Sequence, residues 1–435
     1  MKKESKQNET TRRTALKQIV TASAAGMFGF LGAPIALAGK GISSSAPTPV
    51  VKETAPKLKI TKIRYYGAPG YTKPLFNQAR GIVEIETDGG IIGIGEGGSK
   101  DMIEQCAQMM IGMDPFRIEH IWQFIYRGMF YPPGREKLHA LGALDMALWD
   151  IKGKALGVPV YDLLGGFTRD YVECYSSGVS GPARTEEERA KAVIAAGFRV
   201  YRIGPSGGMG EERFDPYENV KKTVELCKTV SGAVGPGNWC IDLHTRFDMM
   251  DAIRICNEIE ELGPYFVEDI LRSENIDMYR KIRTMTKVPI AVGEQFGDKW
   301  NINELVENEL IDYARVTIPN VGGITEFKKI TDMCETHYIG MIPHSTGPLA
   351  MAALVHALGA SSPARCMYEG GGPSRAEYFN EDLVNFKNGK LYLNPSPGLG
   401  VKFDPKKATF IMEITSNTKY PHPILYSPDG AIHNW

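Results

Sequence analysis

The stretch from Asn238 to Glu294 reads NWCIDLHTRFDMMDAIRICNEIEELGPYFVEDILRSENIDMYRKIRTMTKVPIAVGE, and it decides the fold. Three short apolar runs in it each end at an acid, namely Asp242, Glu268 and Glu294, at equal intervals of 26 residues. Between the runs lie amphipathic segments such as Met250 to Ile259, whose apolar positions recur at helical spacing. A strand, a helix and two short loops need roughly 25 to 30 residues. The stretch therefore predicts a repeating β-α unit.

The same register continues towards the C-terminus. Further apolar runs end near Thr317, at His344 and at Glu369, after steps of 23, 27 and 25 residues. Parallel strands that alternate with helices close naturally into a barrel, and the C-terminal ends of these strands converge on one mouth. We therefore expect an α/β fold in which an Asp, three Glu and a His share the mouth of a parallel barrel.

Asp242, Glu268 and Glu294 predict a metal site. Like charges a few ångströms apart repel and raise one another's pKa, unless a hard cation lies between them. Carboxylate oxygens with no cysteine nearby suit Mg²⁺, with water or substrate in the remaining positions. The alternative is that each acid caps a helix or pairs with Arg246, Arg272 or Lys299. The equal register of the three acids favours the metal.

Further motifs resemble one enzyme family. They are Asp242-Leu243-His244, the segment ALDMALWDIKGK from Ala143 to Lys154, Val321-Gly322-Gly323-Ile324-Thr325, and the tail ending His433-Asn434-Trp435. From about Leu58 onward, the chain resembles the mandelate racemase subgroup of the enolase superfamily. Closest is the sugar-acid dehydratase branch of mannonate and galactonate dehydratases, in which a His follows the first metal ligand by two residues. The resemblance implies a modified TIM barrel, (β/α)₇β, with an N-terminal α+β capping domain, and Mg²⁺ as cofactor.

The composition limits the classes of protein that fit. With 435 residues, of which 43% are hydrophobic, the chain can bury a sizeable core and is long enough for two domains. A formal net charge of −1 gives no electrostatic reason to expect a nucleic-acid partner. Seven scattered cysteines without Cys-x-x-Cys spacing argue against a disulfide framework and a structural zinc site.

The N-terminus predicts an export signal. The run Thr11 to Lys17 carries paired arginines, a weakly apolar stretch extends from Ile19 to Leu37, and Ala36-Leu37-Ala38 is similar to a small-residue cleavage site. Residues 1–38 therefore resemble a twin-arginine signal, which engages the machinery that exports folded proteins and predicts a periplasmic location. The alternative is an uncleaved membrane anchor, although Ala, Gly and Ser make a weak transmembrane helix.

The rest of the chain divides by pattern. Residues 39–57, rich in Ser, Pro and Lys, predict a disordered linker. Residues 58–170 predict the capping domain: a meander of strands at 60–66, 81–87 and 91–96, then helices at 102–111, 118–127 and 138–156. Residues 171–395 are the predicted barrel, and residues 396–435 are expected to return to the capping domain.

The second predicted barrel strand, Phe198 to Gly204, carries Arg202. Related racemases have a Lys-x-Lys pair in this strand, and one of those lysines is a base. Arginine is effectively never deprotonated, so we predict that Arg202 acts in catalysis as a clamp for a carboxylate or oxyanion rather than as a base. The alternative is a salt bridge to an acid on a neighbouring strand. Racemisation needs a base on each face of the carbanion, and one face here lacks one.

His244 and His344 are the predicted acid and base, because histidine titrates near neutrality. In galactonate dehydratase-like relatives an Asp on the sixth strand orients the base on the seventh, but Thr317 occupies that position here. The mannonate dehydratase-like branch also lacks this Asp, has Arg at the Arg315 position, and uses the histidine of the Asp-x-His motif. The sequence leaves open which histidine is the base.

Other residues are predicted to contact the substrate. We expect Arg315 and Glu369 to bind substrate or relay protons at the mouth. Trp435 matches a family tail that folds over the pocket, and the alternative is a disordered chain end. The mannonate branch also uses a Tyr from a long loop after the second strand. The corresponding loop, Pro205 to Pro216, contains no Tyr, and Tyr217 is the nearest candidate.

The predicted function is a Mg²⁺-dependent lyase that acts on a sugar acid. Mg²⁺ on both carboxylate oxygens stabilises the enediolate formed when the proton alpha to the carboxylate leaves. A general acid then expels the neighbouring hydroxyl as water, giving a 2-keto-3-deoxy acid. The alternatives are an epimerase or cycloisomerase that uses the same enediolate, and an exported binding protein without turnover. The family usually forms symmetric oligomers, so the resemblance also implies a homo-oligomer.

Overall fold

Alternating apolar residues near the start of the described chain form an antiparallel sheet. The computed structural model describes residues 55–70, 79–128, 130–131, 134–182, 185–204, 213–344, 346–370, 376–418 and 424–434. The sheet contains β1 (Ile60–Gly67), β2 (Gly81–Thr87) and β3 (Ile92–Glu96), which neighbour one another in that order. The predicted meander is therefore present.

Four helices follow this sheet: α1 (Lys100–Gln108), α2 (Ile118–Arg127), α3 (Arg135–Leu156) and α4 (Val160–Leu163). The long helix α3 packs directly on β3. A Cβ atom on Gly95 would lie 1.8 Å from the carbonyl oxygen of Ala143, and one on Gly93 would lie 2.1 Å from that of Ala147. Only glycine permits this close approach, so the sequence GIGE in β3 and the alanines of α3 together fix the sheet against the helix.

A second sheet contains eight parallel strands within the described residues. They are β4 (Tyr171–Ser176), β5 (Val200–Ile203), β6 (Trp239–Asp242), β7 (Val267–Glu268), β8 (Ile290–Val292), β9 (Tyr313–Ala314), β10 (Gly340–Met341) and β11 (Met367–Glu369). Helices alternate with them: α5 (Glu186–Ala195), α6 (Pro216–Val234), α7 (Met249–Ile259), α8 (Asp277–Arg283), α9 (Lys299–Glu307), α10 (Ile318–Val321), α11 (Ile324–Thr336) and α12 (Pro348–Gly359). Short 3-10 turns occupy Glu260–Leu262 and Pro405–Lys407.

The parallel strands follow one another around a ring. Each strand from β4 to β10 pairs with the next along the chain. The last strand, β11, pairs in parallel with β4, and a single parallel bridge from Met341 to Cys366 links it to β10. This arrangement is the predicted (β/α)₇β barrel, and the predicted fold class is confirmed.

The C-terminal part of the chain contacts both sheets. The hairpin of β12 (Asn385–Lys387) and β13 (Lys390–Tyr392) extends the barrel sheet, because β13 pairs antiparallel with β4. The last strand, β14 (Thr409–Ile414), pairs antiparallel with β1 and completes a four-stranded sheet in the order β14-β1-β2-β3. The end of the chain therefore returns to the first sheet.

Apolar side chains fill the barrel. The interior layer consists of Tyr175, Val200, Cys240, Phe266, Ala291, Tyr313, Ile342 and Met367, all buried. Alternate residues of the same strands, such as Ile241 and Val267, belong to the larger cluster that packs against the helices. Because the interior is packed, small molecules can reach only the residues at the C-terminal ends of the strands.

One predicted strand is shorter than the sequence pattern indicated. The apolar run that was expected to end near Thr317 ends as a strand at Ala314, and Thr317 instead precedes the first turn of α10. Pro319 occupies that first turn, where its missing N–H costs no hydrogen bond. Helix formation therefore begins before the apolar pattern ends.

The predicted signal, residues 1–38, lies outside the described residues, as does most of the linker. Within the part of the chain that the structure describes, no helix is long and apolar enough to cross a membrane. The periplasmic location of the protein therefore stays a prediction.

Candidate active site at the barrel mouth

The Asp-x-His motif forms a tight turn at the end of β6. The backbone N–H of His244 donates to Asp242 Oδ1 over 2.6 Å. His244 and Thr245 have φ angles of 49° and 55°, a left-handed conformation that non-glycine residues adopt rarely and mostly where surrounding structure holds them. The turn leaves about half of the His244 side chain exposed. The two-residue spacing thus places a buried acid and an accessible imidazole side by side.

Three buried carboxylates lie together at the ends of β6 and β7. One oxygen from each of Asp242, Glu268 and Asp269 lies within 4.8 Å of the others. Asp269, which sequence reasoning missed, has a φ of 43°, so its side chain turns to the same side as that of Glu268. Two of the three predicted metal ligands are therefore adjacent, and an additional acid joins them.

Arg315 lies at the centre of the carboxylates. It directly follows β9, and its side chain is completely buried. Its Nη2 atom lies 2.5 Å from Glu268 Oε1, 3.1 Å from Glu294 Oε2 and 3.1 Å from Glu369 Oε2. The guanidinium therefore orients three predicted site residues from below the mouth. A direct contact of Arg315 with substrate stays a prediction.

Arg202 contacts the same group from β5. Its Nη1 atom lies 2.7 Å from Glu268 Oε1, 3.0 Å from Glu369 Oε1 and 3.2 Å from Asp242 Oδ2. Burial alone would lower the pKa of Arg202, but the charges of Glu268, Glu369 and Asp242 outweigh it and raise the pKa. Arg202 therefore holds its proton firmly and forms salt bridges to strand-end acids, which was the alternative to a clamp. Its role as a clamp for a substrate carboxylate or oxyanion stays a prediction.

The four principal carboxylates experience different environments. Burial raises the pKa of Asp242 to about 6 and that of Glu268 to about 8, against the opposing charges of Arg202 and Arg315. Burial also acts on Glu369, but there Arg315 and Arg202 dominate and lower its pKa to about 2. For Glu294, the charges of His344 and Arg315 outweigh burial and lower the pKa.

Both predicted histidines approach Glu294. His244 Nε2 lies 3.8 Å from Glu294 Oε1, and His344 Nε2 lies 3.5 Å from Glu294 Oε2. The backbone carbonyl of Glu294 accepts a hydrogen bond of 2.8 Å from the side-chain amide of Asn320. The structure thus brings His244, His344 and Glu294 together with the two arginines.

His344 lacks an acidic partner on its other ring nitrogen. Its Nδ1 atom is buried and has no hydrogen-bond partner among the described residues. Thr317, at the position where galactonate dehydratase-like relatives are expected to have an Asp, also has an unpaired buried hydroxyl in the described part of the chain. The backbone N–H of His344 donates to the carbonyl of Arg315 over 3.1 Å. His344 is therefore held at Nε2 by Glu294 and at its backbone by the Arg315 carbonyl, with no described carboxylate on Nδ1.

Tyr175 is a second residue that sequence reasoning missed. It points up from β4 in the barrel interior, and its hydroxyl lies 2.5 Å from Arg315 Nη1 and 3.5 Å from Glu268 Oε2. Burial raises the pKa of Tyr175, so its hydroxyl stays protonated. Tyr175 therefore forms the floor of the site and holds Arg315 from below.

The remaining residues that the sequence singled out are Trp435 and Tyr217. Trp435 lies outside the described residues. Tyr217 lies in the first turn of α6 and is largely exposed, and the amino group of Lys221 stacks on its ring 4.4 Å from the ring centre. No described contact joins Tyr217 to the carboxylates at the mouth, so its part in the reaction stays a prediction.

The chemistry of these side chains fits a hard divalent cation. The grouped atoms are all carboxylate oxygens, and Asp269 Oδ2 is a buried acceptor without a hydrogen-bond partner among the described residues. Oxygen-only donor sets suit Mg²⁺ rather than softer metals. Glu294 contacts the same arginine nitrogen as Glu268 but lies outside the tightest group. Its assignment as the third ligand stays a prediction.

Two family descriptions match the chain in sequence order. Residues 74–165 match the N-terminal domain of mandelate racemase / muconate lactonizing enzyme. Residues 185–407 match the family described as enolase C-terminal domain-like. These ranges correspond to the α+β layer and to most of the barrel, so each half of the fold has its own family match.

Curated relatives and solved structures agree with these matches. A D-galactonate dehydratase from Pectobacterium atrosepticum is 32% identical over 396 residues, covering 87% of this chain and 100% of the relative. A D-mannonate dehydratase from Caulobacter sp. (strain K31) is 31% identical over 393 residues, covering 81% of this chain and 95% of the relative. A crystal structure of an enolase from Pantoea ananatis with bound D-gluconate and Mg has a TM-score of 0.71 and 28% identity, covering 80% of this chain and 94% of that one.

Proposed function

The chain belongs to the enolase superfamily, within its mandelate racemase and muconate lactonizing enzyme group, and we propose that it is a Mg²⁺-dependent dehydratase of sugar acids. The proposed reaction removes the proton alpha to the carboxylate and then water from the next carbon. Relatives named as D-galactonate and D-mannonate dehydratases support an aldonate as substrate. The structure related to this chain that contains D-gluconate and Mg supports the cofactor.

Asp242, Glu268 and Glu294 would hold the cation in this proposal, with Asp269 close behind them. When bound, Mg²⁺ supplies a fixed positive charge beside the substrate carboxylate, which makes the neighbouring C–H bond more acidic. The carboxylates serve this purpose because Arg202 and Arg315 orient them through short ion pairs before any ligand arrives. Pre-oriented charges cost little reorganisation during the reaction.

The two histidines would transfer the protons. One imidazole takes the proton from C2, the electron pair of that C–H bond becomes the new carbon–carbon double bond, and the C3–O bond breaks. The other imidazole protonates the departing hydroxyl, so water leaves. The resulting enol takes a proton at C3 and becomes a 2-keto-3-deoxy acid. Arg202 stays charged throughout and attracts the negative charge that develops on the substrate carboxylate.

One observation carries this proposal. His244 and His344 lie on opposite oxygens of Glu294, 3.8 Å and 3.5 Å away, inside a mouth lined by acids and arginines. A proton-abstracting group and a proton-donating group must act within reach of the same substrate, and two imidazoles at one carboxylate meet that need. A protein that only binds sugar acids needs no such pair of titratable groups.

A substrate panel tests the proposal. The purified protein is incubated with aldonates and uronates that differ in configuration at C2 and C3, in the presence of Mg²⁺, and products are measured by mass spectrometry and NMR. We expect a 2-keto-3-deoxy acid from a small subset of the panel. EDTA should abolish its formation, and fresh Mg²⁺ should restore it.

The same panel separates the alternative functions. A stereoisomer or a cyclised product of unchanged mass would identify an epimerase or cycloisomerase and contradict the dehydratase proposal. Binding of an aldonate without any product from the panel would favour the exported binding protein. As a control for a contaminating enzyme, Asp242→Asn carried through the same purification should form no product.

We also propose export through the twin-arginine pathway, with residues 1–38 as the signal. The seven cysteines support this route, because all are free and buried in the described fold. A protein that folds before export needs no disulfide and protects its thiols from oxidation on the far side of the membrane. Cell fractionation tests this proposal, since replacing Arg12 and Arg13 by lysine should retain the protein in the cytoplasm.

A further inference from the structure

A carboxylate of the α+β layer reaches the start of a barrel helix. Glu96, the last residue of β3, is completely buried. Its Oε2 atom accepts hydrogen bonds from the backbone N–H groups of Leu349 and Ala350, over 2.9 Å and 3.0 Å. These residues lie in the first turn of α12, where backbone N–H groups have no partner within the helix. Glu96 therefore caps α12 from another domain.

The residue that precedes this helix cannot cap it. Its N-cap residue, Gly347, provides no side-chain hydrogen bond. A Cβ atom on Gly347 would lie 2.4 Å from Glu96 Oε1, so only glycine leaves room for the carboxylate. A negative charge at a helix N-terminus is favoured by the helix dipole. The pairing of Glu96 with Gly347 is thus specific in shape.

The capped turn lies next to a predicted catalytic residue. α12 begins at Pro348, four residues after His344, so the short segment between them links the imidazole to the cap. At its other side, His344 is held through its backbone N–H, which donates to the Arg315 carbonyl. Its Nδ1 atom has no partner among the described residues. Apart from the contact of Nε2 with Glu294, the orientation of this histidine therefore depends on how its backbone is held.

A second cap of the same kind supports the neighbouring helix. Asp145 of α3 is buried, and its carboxylate accepts from the backbone N–H of Thr325 over 3.1 Å and from the Thr325 hydroxyl over 2.5 Å. Thr325 lies in the first turn of α11, which follows the segment carrying Arg315. A Cβ atom on the N-cap residue, Gly323, would lie 2.3 Å from Asp145 Oδ2. The same design, an acid against a glycine, thus recurs on the adjacent helix.

We propose that Glu96 is a positioning residue for His344: the α+β domain holds the first turn of α12, and through it the imidazole, in the orientation that the reaction needs. Asp145 acts in the same way on α11 and the Arg315 segment. The domain therefore sets the geometry of the mouth from behind the barrel helices. The catalytic part of this inference rests on the proposed dehydratase function, whereas the part that concerns the orientation of His344 does not.

The test compares Glu96→Ala with Glu96→Gln. Alanine removes both hydrogen-bond acceptors, whereas the glutamine amide oxygen has the same shape and can accept from Leu349 and Ala350. We expect hydrogen exchange at these two amides to accelerate at least tenfold in Glu96→Ala and to return within about threefold of wild type in Glu96→Gln. The ring resonances of His344, followed by NMR with labelled histidine, should shift in the alanine variant alone.

Kinetics supply the decisive readout. In Glu96→Ala we expect kcat for the dehydrated aldonate to fall at least tenfold with KM changed less than threefold, and Glu96→Gln to restore kcat. Faster amide exchange with unchanged kcat and unchanged His344 ring resonances would overturn the proposal, because Glu96 would then have only a structural role. Equal losses in both Glu96 variants would overturn it too.

Two controls keep the result interpretable. Should Glu96→Ala fail to fold, Gly347→Ala displaces the carboxylate from the other side and should accelerate exchange in the same turn. Should the wild-type protein dehydrate no aldonate, the proposed function fails, but amide exchange and the His344 ring resonances still decide whether Glu96 orients the histidine. A His344 resonance insensitive to both substitutions would contradict the inference whatever the activity.

Discussion

His244 and His344 face opposite oxygens of one carboxylate, that of Glu294, from two different strand ends. His244 is about half exposed, whereas the His344 side chain is about three-quarters buried. The two imidazoles therefore approach a bound molecule from different depths. This difference makes their roles separable by experiment.

Substituting the histidines one at a time should separate proton abstraction from loss of water. We expect His244→Asn and His344→Asn each to lower kcat for dehydration by roughly 10² to 10⁴, the usual contribution of a general acid or base. The variant that lacks only the acid should still exchange the C2 proton with deuterium from solvent, and the variant that lacks the base should not. NMR of recovered substrate in D₂O measures this exchange. Full exchange in both variants would contradict the assignment of the pair.

Replacing Arg315 should destabilise the fold as well as stop the reaction. Arg315→Met removes one of the two guanidinium groups that contact the buried carboxylates of Glu268 and Glu369, and leaves Arg202 to balance both. Removing one partner of a buried ion pair typically costs about 3 to 5 kcal/mol. Urea unfolding in EDTA measures the change. Arg272→Met, which breaks an exposed pair with Glu274, is the matched control and should leave the unfolding midpoint unchanged.

Removing the Tyr175 hydroxyl should have a smaller effect. In Tyr175→Phe, Arg315 Nη1 loses its partner at 2.5 Å, and among the described residues it keeps the Ile342 carbonyl at 3.3 Å. We expect the free energy of unfolding to fall by about 1 to 3 kcal/mol, the cost of leaving a buried donor poorly paired. Tyr313→Phe changes a tyrosine of the same interior layer whose hydroxyl contacts the side chains of Arg365, over 3.4 Å, and Tyr265, but not the arginine of the site. An equal loss in this control would show that ring packing, not the hydroxyl, is responsible.

Glu96 should make stability fall as pH rises. Burial raises the pKa of Glu96 from its ordinary 4.5 to about 7, although the N–H groups of Ala350 and Leu349 oppose the shift. Between these values the folded state keeps a proton that the unfolded chain has lost, so stability decreases with increasing pH across that window. Glu96→Gln has no such proton. We expect the stability of wild type relative to this variant to drop by about 3 kcal/mol between pH 4.5 and pH 7.5.

Urea unfolding of both proteins at several pH values gives this difference directly. A difference that does not change with pH would contradict the raised pKa. If the stability of wild type relative to Glu96→Gln increases with pH, the helix N-terminus favours the charged carboxylate more than burial disfavours it.

The sequence was sufficient for the fold because its signals were local and repeated. The acids at Asp242, Glu268 and Glu294 follow apolar runs in equal register, and β6, β7 and β8 lie where those runs predicted. Thr317 was misleading because its apolar neighbours continue past the end of β9, while the backbone already turns into α10. Strand ends depend on pairing with the next strand, which an apolar pattern does not report.

The missed residues depend on three-dimensional geometry. Adjacent residues in a strand point to opposite faces, so Asp269 was not expected beside Glu268. Asp269 has a left-handed φ of 43°, so its side chain does not follow the alternation and lies beside that of Glu268. The sequence Val267-Glu268-Asp269 does not predict this backbone conformation. Tyr175 belongs to an interior-facing position that sequence alone reads as core. Its hydroxyl matters only because the barrel places Arg315 directly above it.

We expect the strand-end carboxylates to hold one divalent cation, and the position of a bound Mn²⁺ ion provides a direct test. Crystals grown with Mn²⁺ in place of Mg²⁺ allow the ion to be located by anomalous scattering. We expect one strong anomalous peak within ligand distance of carboxylate oxygens from Asp242, Glu268 and Glu294. The absence of an anomalous peak at the mouth would contradict this ligand set. So would an ion bound by Asp269 while Glu294 stays paired with Arg315.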